Sequence, residues 1–173
     1  MADVTKVALG VCTGTFGGVD LGHTSGGVEL TYEPVWHDVT VDLYGESKVD
    51  KRLMGEHVTV KVPLVEYTVA NLKLAMPAGT VVSGSGKSRI DVGRGAGLKA
   101  SSEADELVLT PVDAVGAEHT VTVHKAVAGN QITLSHVNDA ARVIEVEFEG
   151  LIDETQGLGA MLFSIGDPTA TAA

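Results

Sequence analysis

The stretch Val39–Met76, VTVDLYGESKVDKRLMGEHVTVKVPLVEYTVANLKLAM, decides the fold. Its pattern predicts a strand, a polar excursion, a second and longer strand, and one short helix. From His37 to Leu43 apolar and polar residues alternate, which is the period of a strand with one face covered. That alternation puts Val39, Val41 and Leu43 on an inner face, with Asp38, Thr40 and Asp42 outward. Tyr44-Gly45-Glu46 opens a long loop that carries Lys48, Asp50, Lys51 and Arg52 and closes at Gly55-Glu56. The loop 44–56 exceeds a normal hairpin connection of about two to five residues, and connections this long are either functional or loose. From His57 to Tyr67 the alternation is cleanest, with Val58, Val60, Val62 and Leu64 on one face. Pro63 has no N–H to donate and so predicts an edge or a bulge there.

The helix is expected over 68–76. Thr68 can cap it through its hydroxyl, and Pro77 and Gly79 stop it. Val69, Leu72 and Met76 share a face while Leu74 falls on another side. A helix so short needs packing to exist at all. Leu74 therefore implies burial on two sides, either against another subunit or within the chain's own core.

Outward from this stretch the pattern is β throughout. Val4–Gly14 reads as a strand, and Gly17-Gly18 and Gly26-Gly27 punctuate the segment after it as turns. Val28–Tyr32 alternates until Pro34. Residues 78–102 are rich in Gly and Ser, with Ser88–Val92 as the one short strand expected there. Lys87, Arg89, Arg94 and Lys99 make this segment either a contact surface for acidic neighbours or a solvated loop. Strands are expected over Glu106–Val112, His119–Val127 and Gln131–His136, with a Gly129-Asn130 turn before the last. Arg142–Phe148 alternates Ile144, Val146 and Phe148 inward against Glu145, Glu147 and Glu149 outward. A final strand runs Ala160–Ile165. The expected organisation is one domain over 1–167 with a loose tail over 168–173.

Composition agrees with this pattern. The chain has 173 residues, 21 Gly and only 4% aromatics, so the core must rest on Val, Leu, Ile and Ala. Such a length fits one domain with a real core. The net charge of −11 argues against coating a nucleic acid, which needs Lys and Arg on phosphates. It favours solubility, and it would also repel a polyanion sliding past. Cys12 is the sole cysteine, so no intrachain disulfide can form, which fits a reducing compartment. No basic-then-apolar leader opens the sequence and no run of about 18 apolar residues occurs, so neither secretion nor a membrane span is expected.

No catalytic or ligand-binding set emerges. Ser83–Ser88, SGSGKS, lacks the first Gly of a phosphate-binding loop because position 81 is Val81. Gly93, Gly95 and Gly97 do not complete a dinucleotide fingerprint, since Leu98 stands where the third Gly belongs. His119 and His124 lie five apart in an expected strand and so point to opposite faces. One cysteine cannot build a usual zinc cage. No calcium loop and no Gly-x-Ser-x-Gly elbow in its strand–helix context is present. Neither cofactor nor metal is expected, and an enzyme is the weakest reading. Glu145, Glu147 and Glu149, three like charges on one strand face, mark an exposed wall.

The order of the pieces carries a resemblance. A Gly-rich segment with GGVEL, then VTVDLYGESKVD, GEHVTVKV, EYTVANLKLAM and finally VIEVEFEGLIDETQGLGAMLFSIGD together resemble the tail tube (major tail) proteins of tailed bacteriophages, relatives of contractile-tail and type VI secretion tubes. The likeness covers residues 19–76 and 142–167. It implies a mainly β, antiparallel sandwich or barrel-like subunit with one flanking helix. It implies six copies in a ring, rings stacked into a hollow tube in the virion tail, assembly in the host bacterial cytoplasm, and DNA passing without specific binding. Other tail proteins would be partners: tape measure, terminator, baseplate hub and, in a contractile tail, sheath. In that family the long loop reaches neighbouring subunits. Here that makes Tyr44, Glu46, Lys48, Asp50, Lys51, Arg52 and Glu56 interface candidates, with Leu74 on the helix. An acidic lumen would let DNA slide, and Glu145, Glu147 and Glu149 are candidates to line it. The competing classes are a capsid decoration protein or other virion β-module, and a small-ligand or carbohydrate-binding sandwich. The second of these needs an aromatic cleft that one Trp, three Tyr and three Phe hardly supply.

Overall fold

The computed structural model describes residues 10–112, 117–129, 132, 134 and 143–170. The described residues are mainly β, antiparallel, with one α-helix. Ten strands run in order: β1 Cys12–Phe16, β2 Val19–Asp20, β3 Glu29–Thr40, β4 Lys48–Leu64, β5 Thr80–Gly84, β6 Lys87–Asp91, β7 Asp105–Pro111, β8 Val121–Ala128, β9 Ile144–Gly150 and β10 Phe163–Ile165. The helix α1 spans Val69–Ala75, between β4 and β5. Eight strands form one sheet in the order β2-β1-β7-β8-β9-β4-β3, with β10 also paired to β8.

This sheet curls until it meets itself. Phe16 on β1 stacks at 5.1 Å between ring centroids on Phe148 of β9, although β7 and β8 lie between them in the sheet. The segment after β2 closes the gap. Leu21 N–H donates to Gly14 O on the β1 side. On the β4 side Val65 N–H donates to His23 O and Ser25 N–H to Pro63 O, around a Thr24–Leu64 bridge. The wall is thus barrel-like, and the glycine-rich segment is its corner. Gly26 and Gly27 turn that corner at φ +101° and +89°, a region L side chains rarely occupy.

Alternation selects the core as the sequence predicts. Val58, Val60, Val62 and Leu64 from β4 meet Ile144, Val146 and Phe148 from β9, Leu107 and Leu109 from β7, and Val123, Ala126 and Ala128 from β8. Leu72 and Ala75 of α1 join this cluster beside Leu21 and Leu64. The Thr68 hydroxyl accepts from Asn71 N–H at 3.1 Å, the expected cap. Asn71 is buried and ties the helix down by donating its amide to Glu66 O at 2.8 Å and Leu21 O at 3.4 Å.

Several expectations are corrected. Val28–Tyr32 and His37–Leu43 are not two strands but one, β3, running through Pro34. β3 is an edge strand, where a missing N–H costs no ladder bond. The expected loop 44–56 is mostly strand, because β4 begins at Lys48 and pairs with β3 throughout. The true connection is Val41–Ser47, built on a 3-10 turn at Asp42–Tyr44. Residues 80–91 form a complete hairpin, β5 with β6, turning at Ser85-Gly86 with φ +53° and +74°. Its Ile90 packs on the core. His119 lies in a 3-10 turn rather than a strand. The last strand is shorter than Ala160–Ile165. Most of Val4–Gly14 and of Gln131–His136, together with Asn130, Arg142 and 171–173, falls outside the described residues.

Candidate assembly surface

Strand β4 is 17 residues long, but β9 pairs with it only from Thr59 to Leu64. From Lys48 to Val58 its sole partner among the described residues is β3. Val58 already belongs to the core, so at about 3.3 Å per residue this two-stranded arm, from Lys48 to His57, extends roughly 30 Å. Cross-strand pairs set its two faces. On one, Trp36 stands opposite Leu53, Asp38 opposite Lys51 and Thr40 opposite Lys48; on the other, Val35 faces Gly55, His37 faces Arg52 and Val39 faces Asp50. Val39, Val41 and Leu43 therefore do not line an inner face, because the arm has none. The register slips between Val35 and Trp36 and again between Val39 and Thr40, and such bulges add twist.

Every residue from Val41 to Met54 is exposed, including Leu43 at 83% and Met54 at 69%. Two-stranded ribbons are marginal in water unless something covers them. Some internal bonds do steady this one. Lys48 Nζ pairs with Asp38 Oδ2 at 2.5 Å, and this hydrogen bond holds the Asp38 carboxyl below its ordinary range. Asp50 Oδ1 accepts from Lys51 N–H. At the arm's base the Tyr32 hydroxyl donates to Glu56, which pushes the phenol's pKa up, and the Tyr32 ring lies 5.6 Å from that of Phe163.

The interface candidates thus divide by position. Tyr44 and Glu46 sit at the tip connection, and Lys48, Asp50, Lys51, Arg52 and Glu56 are spaced along the arm as strand residues. Leu74 lies elsewhere: it is half-buried and packs on the chain's own core. Beside it Lys73 Nζ and Arg94 Nη1 hold Glu103 at 2.9 and 3.4 Å, and the Lys73 hydrogen bond depresses the Glu103 carboxyl. Sequence reading missed Trp36, Leu53 and Met54. The available signal was a lone Trp two residues after Pro34 in an otherwise strand-like run.

Glu145, Glu147 and Glu149 lie on the face of β9 opposite its buried residues. Lys61 separates Glu147 from Glu29 across three adjacent strands. A groove of about 720 Å³ opens over this row beside Gly26, Gly27 and Pro63. Among the described residues no cluster of His, Cys, Asp and Glu is placed to hold a metal, and no helix is long and apolar enough to cross a membrane. No family model and no curated protein matches the chain.

Proposed function

We propose that this protein is a structural subunit that self-assembles into stacked, hexameric rings forming the hollow tail tube of a tailed phage, through which DNA is delivered. The arm carries this reading. Among the described residues, half of the longest strand pairs with nothing but its hairpin mate, exposes apolar side chains on both faces, and has free backbone edges on both sides. Exposed edges are an aggregation liability that a monomer ordinarily blunts and a closed ring consumes. The order of sequence pieces adds the tail-tube resemblance. The acidic row Glu145, Glu147 and Glu149 on β9, with Lys61 the one base beside it on β4, would serve as a wall along which a polyanion slides rather than sticks. The reading includes no catalytic step.

Sedimentation tests it through the arm. A variant in which Trp36–Leu53 is replaced by an Asn-Gly turn keeps every buried strand residue and is expected to stay a folded monomer. The parent should form large assemblies. Assemblies of equal size from both would contradict the proposal, and compact trimers from the parent would favour the capsid decoration reading.

A further inference from the structure

A second surface complements the arm. After β9 the chain forms a compact loop anchored to β8 by Leu151 N–H donating to Lys125 O and closed on itself by Asp153 N–H to Met161 O, Gln156 N–H to Asp153 O and Ala160 N–H to Gly157 O. Asp153 Oδ1 accepts from both Thr155 N–H at 3.1 Å and the Thr155 hydroxyl at 2.8 Å. Well-tied loops of this kind are frequently functional. This one presents Leu158 with 97% of its surface in water and Ile152 with 52%. A single exposed Leu is ordinary. A fully exposed Leu at the tip of a tied loop, with a second exposed aliphatic in the same loop, is an anchor without a pocket.

The charges are equally one-sided. From Val143 to the end of the sequence there are six acidic residues, at 145, 147, 149, 153, 154 and 167, and no Lys, Arg or His. The arm is the reverse where it is apolar. Toward the tip the face bearing Trp36 and Leu53 carries Lys51 and Lys48 against Asp38, and Glu56 lies on the same face nearer the barrel. Trp36 is 52% exposed and Leu158 almost wholly so in the same folded chain, so the two patches do not satisfy each other internally.

We propose that the Trp36–Leu53–Lys51 face of one copy docks on the Ile152–Leu158 loop of a second copy, with Lys51 set against Glu154. The two patches differ, so the contact is head-to-tail, the kind that propagates into rings or filaments. The inference rests on the self-assembly reading and names the surfaces that carry it. Apolar anchors at the centre of an interface with complementary charges at its rim supply affinity and orientation respectively.

The test measures the concentration at which full-length protein assembles, by light scattering, for the parent and for Leu158→Asp, Lys51→Glu, and Lys51→Glu combined with Glu154→Lys. Circular dichroism and denaturant midpoints check that each variant folds. Leu158→Asp and Lys51→Glu should each raise the threshold about tenfold or more, the effect of losing a moderate hot spot. The combined variant should recover much of the loss. Parental thresholds in both single variants, or no recovery in the combined one, would overturn this docking while leaving self-assembly intact. A parent that never assembles would overturn both.

Discussion

Gly150, at the end of β9, has no room for a side chain. A Cβ there would lie 2.2 Å from Val58 Cγ1 and 3.2 Å from Val123 Cγ1. Both neighbours are β-branched, stiff and buried in the core, so neither gives way cheaply. Gly150→Ala should therefore cost about 1–3 kcal/mol, read as a lower denaturant midpoint; an unchanged midpoint would mean the core yields at Val58. Glu103 gives a prediction with a pH dependence. Its carboxyl, ordinarily near 4.5, is depressed in the folded chain by Lys73 first and by Arg94. A depressed acid adds stability above its unfolded value, and that stability is lost as pH falls through the folded value. Glu103→Gln should destabilise by about 1 kcal/mol or less at pH 7, since the pair is partly exposed. The gap should narrow below pH 4.5; a gap independent of pH would place the effect in packing rather than charge.

At the scale of elements, legibility followed burial. β4 from Val58 onward, β9 and α1 were readable because each has one covered face, which forces the alternation or helical spacing that a sequence displays. The Thr68 cap and the Pro77 stop were readable for similarly local reasons. The arm was not, because alternation encodes a buried face and residues 48–56 have none. Polar residues on both sides of a strand look like a loop. The β5–β6 hairpin was half seen, since its Ser85-Gly86 turn is short and only Ile90 points into the core. The form of segment 44–56 was not legible: an extended, paired arm stands where a long functional or loose connection was expected, and Leu74 packs on the chain's own core, one of the two alternatives its position left open. The arm provides its own reporter. Trp36 is the sole tryptophan, and it is 52% exposed. Raising protein concentration through assembly should shift its fluorescence to shorter wavelength and protect it from acrylamide quenching. An emission spectrum unchanged between monomer and assembly would remove the arm from the interface.

At the scale of the whole molecule, the fold separates two jobs. A barrel-like wall closed by the glycine corner keeps its aliphatic core to itself, and the Trp36 arm and Leu158 loop leave apolar surface exposed, which the proposed assembly would cover. A net charge of −11 opposes non-specific association of such surfaces, at the cost of repulsion between copies. Salt screens that repulsion within about 10 Å at 0.1 M. Tube formation should accordingly become easier as salt rises from very low concentration, and then level off once apolar contact dominates; a steady weakening with salt would mean that ion pairs alone hold the copies together. The most direct measurement is negative-stain electron microscopy of the purified full-length protein over a range of concentrations. Hollow tubes built of six-fold rings are expected, absent when the arm is trimmed. A parent that remains a dispersed monomer at every concentration would contradict the proposed assembly.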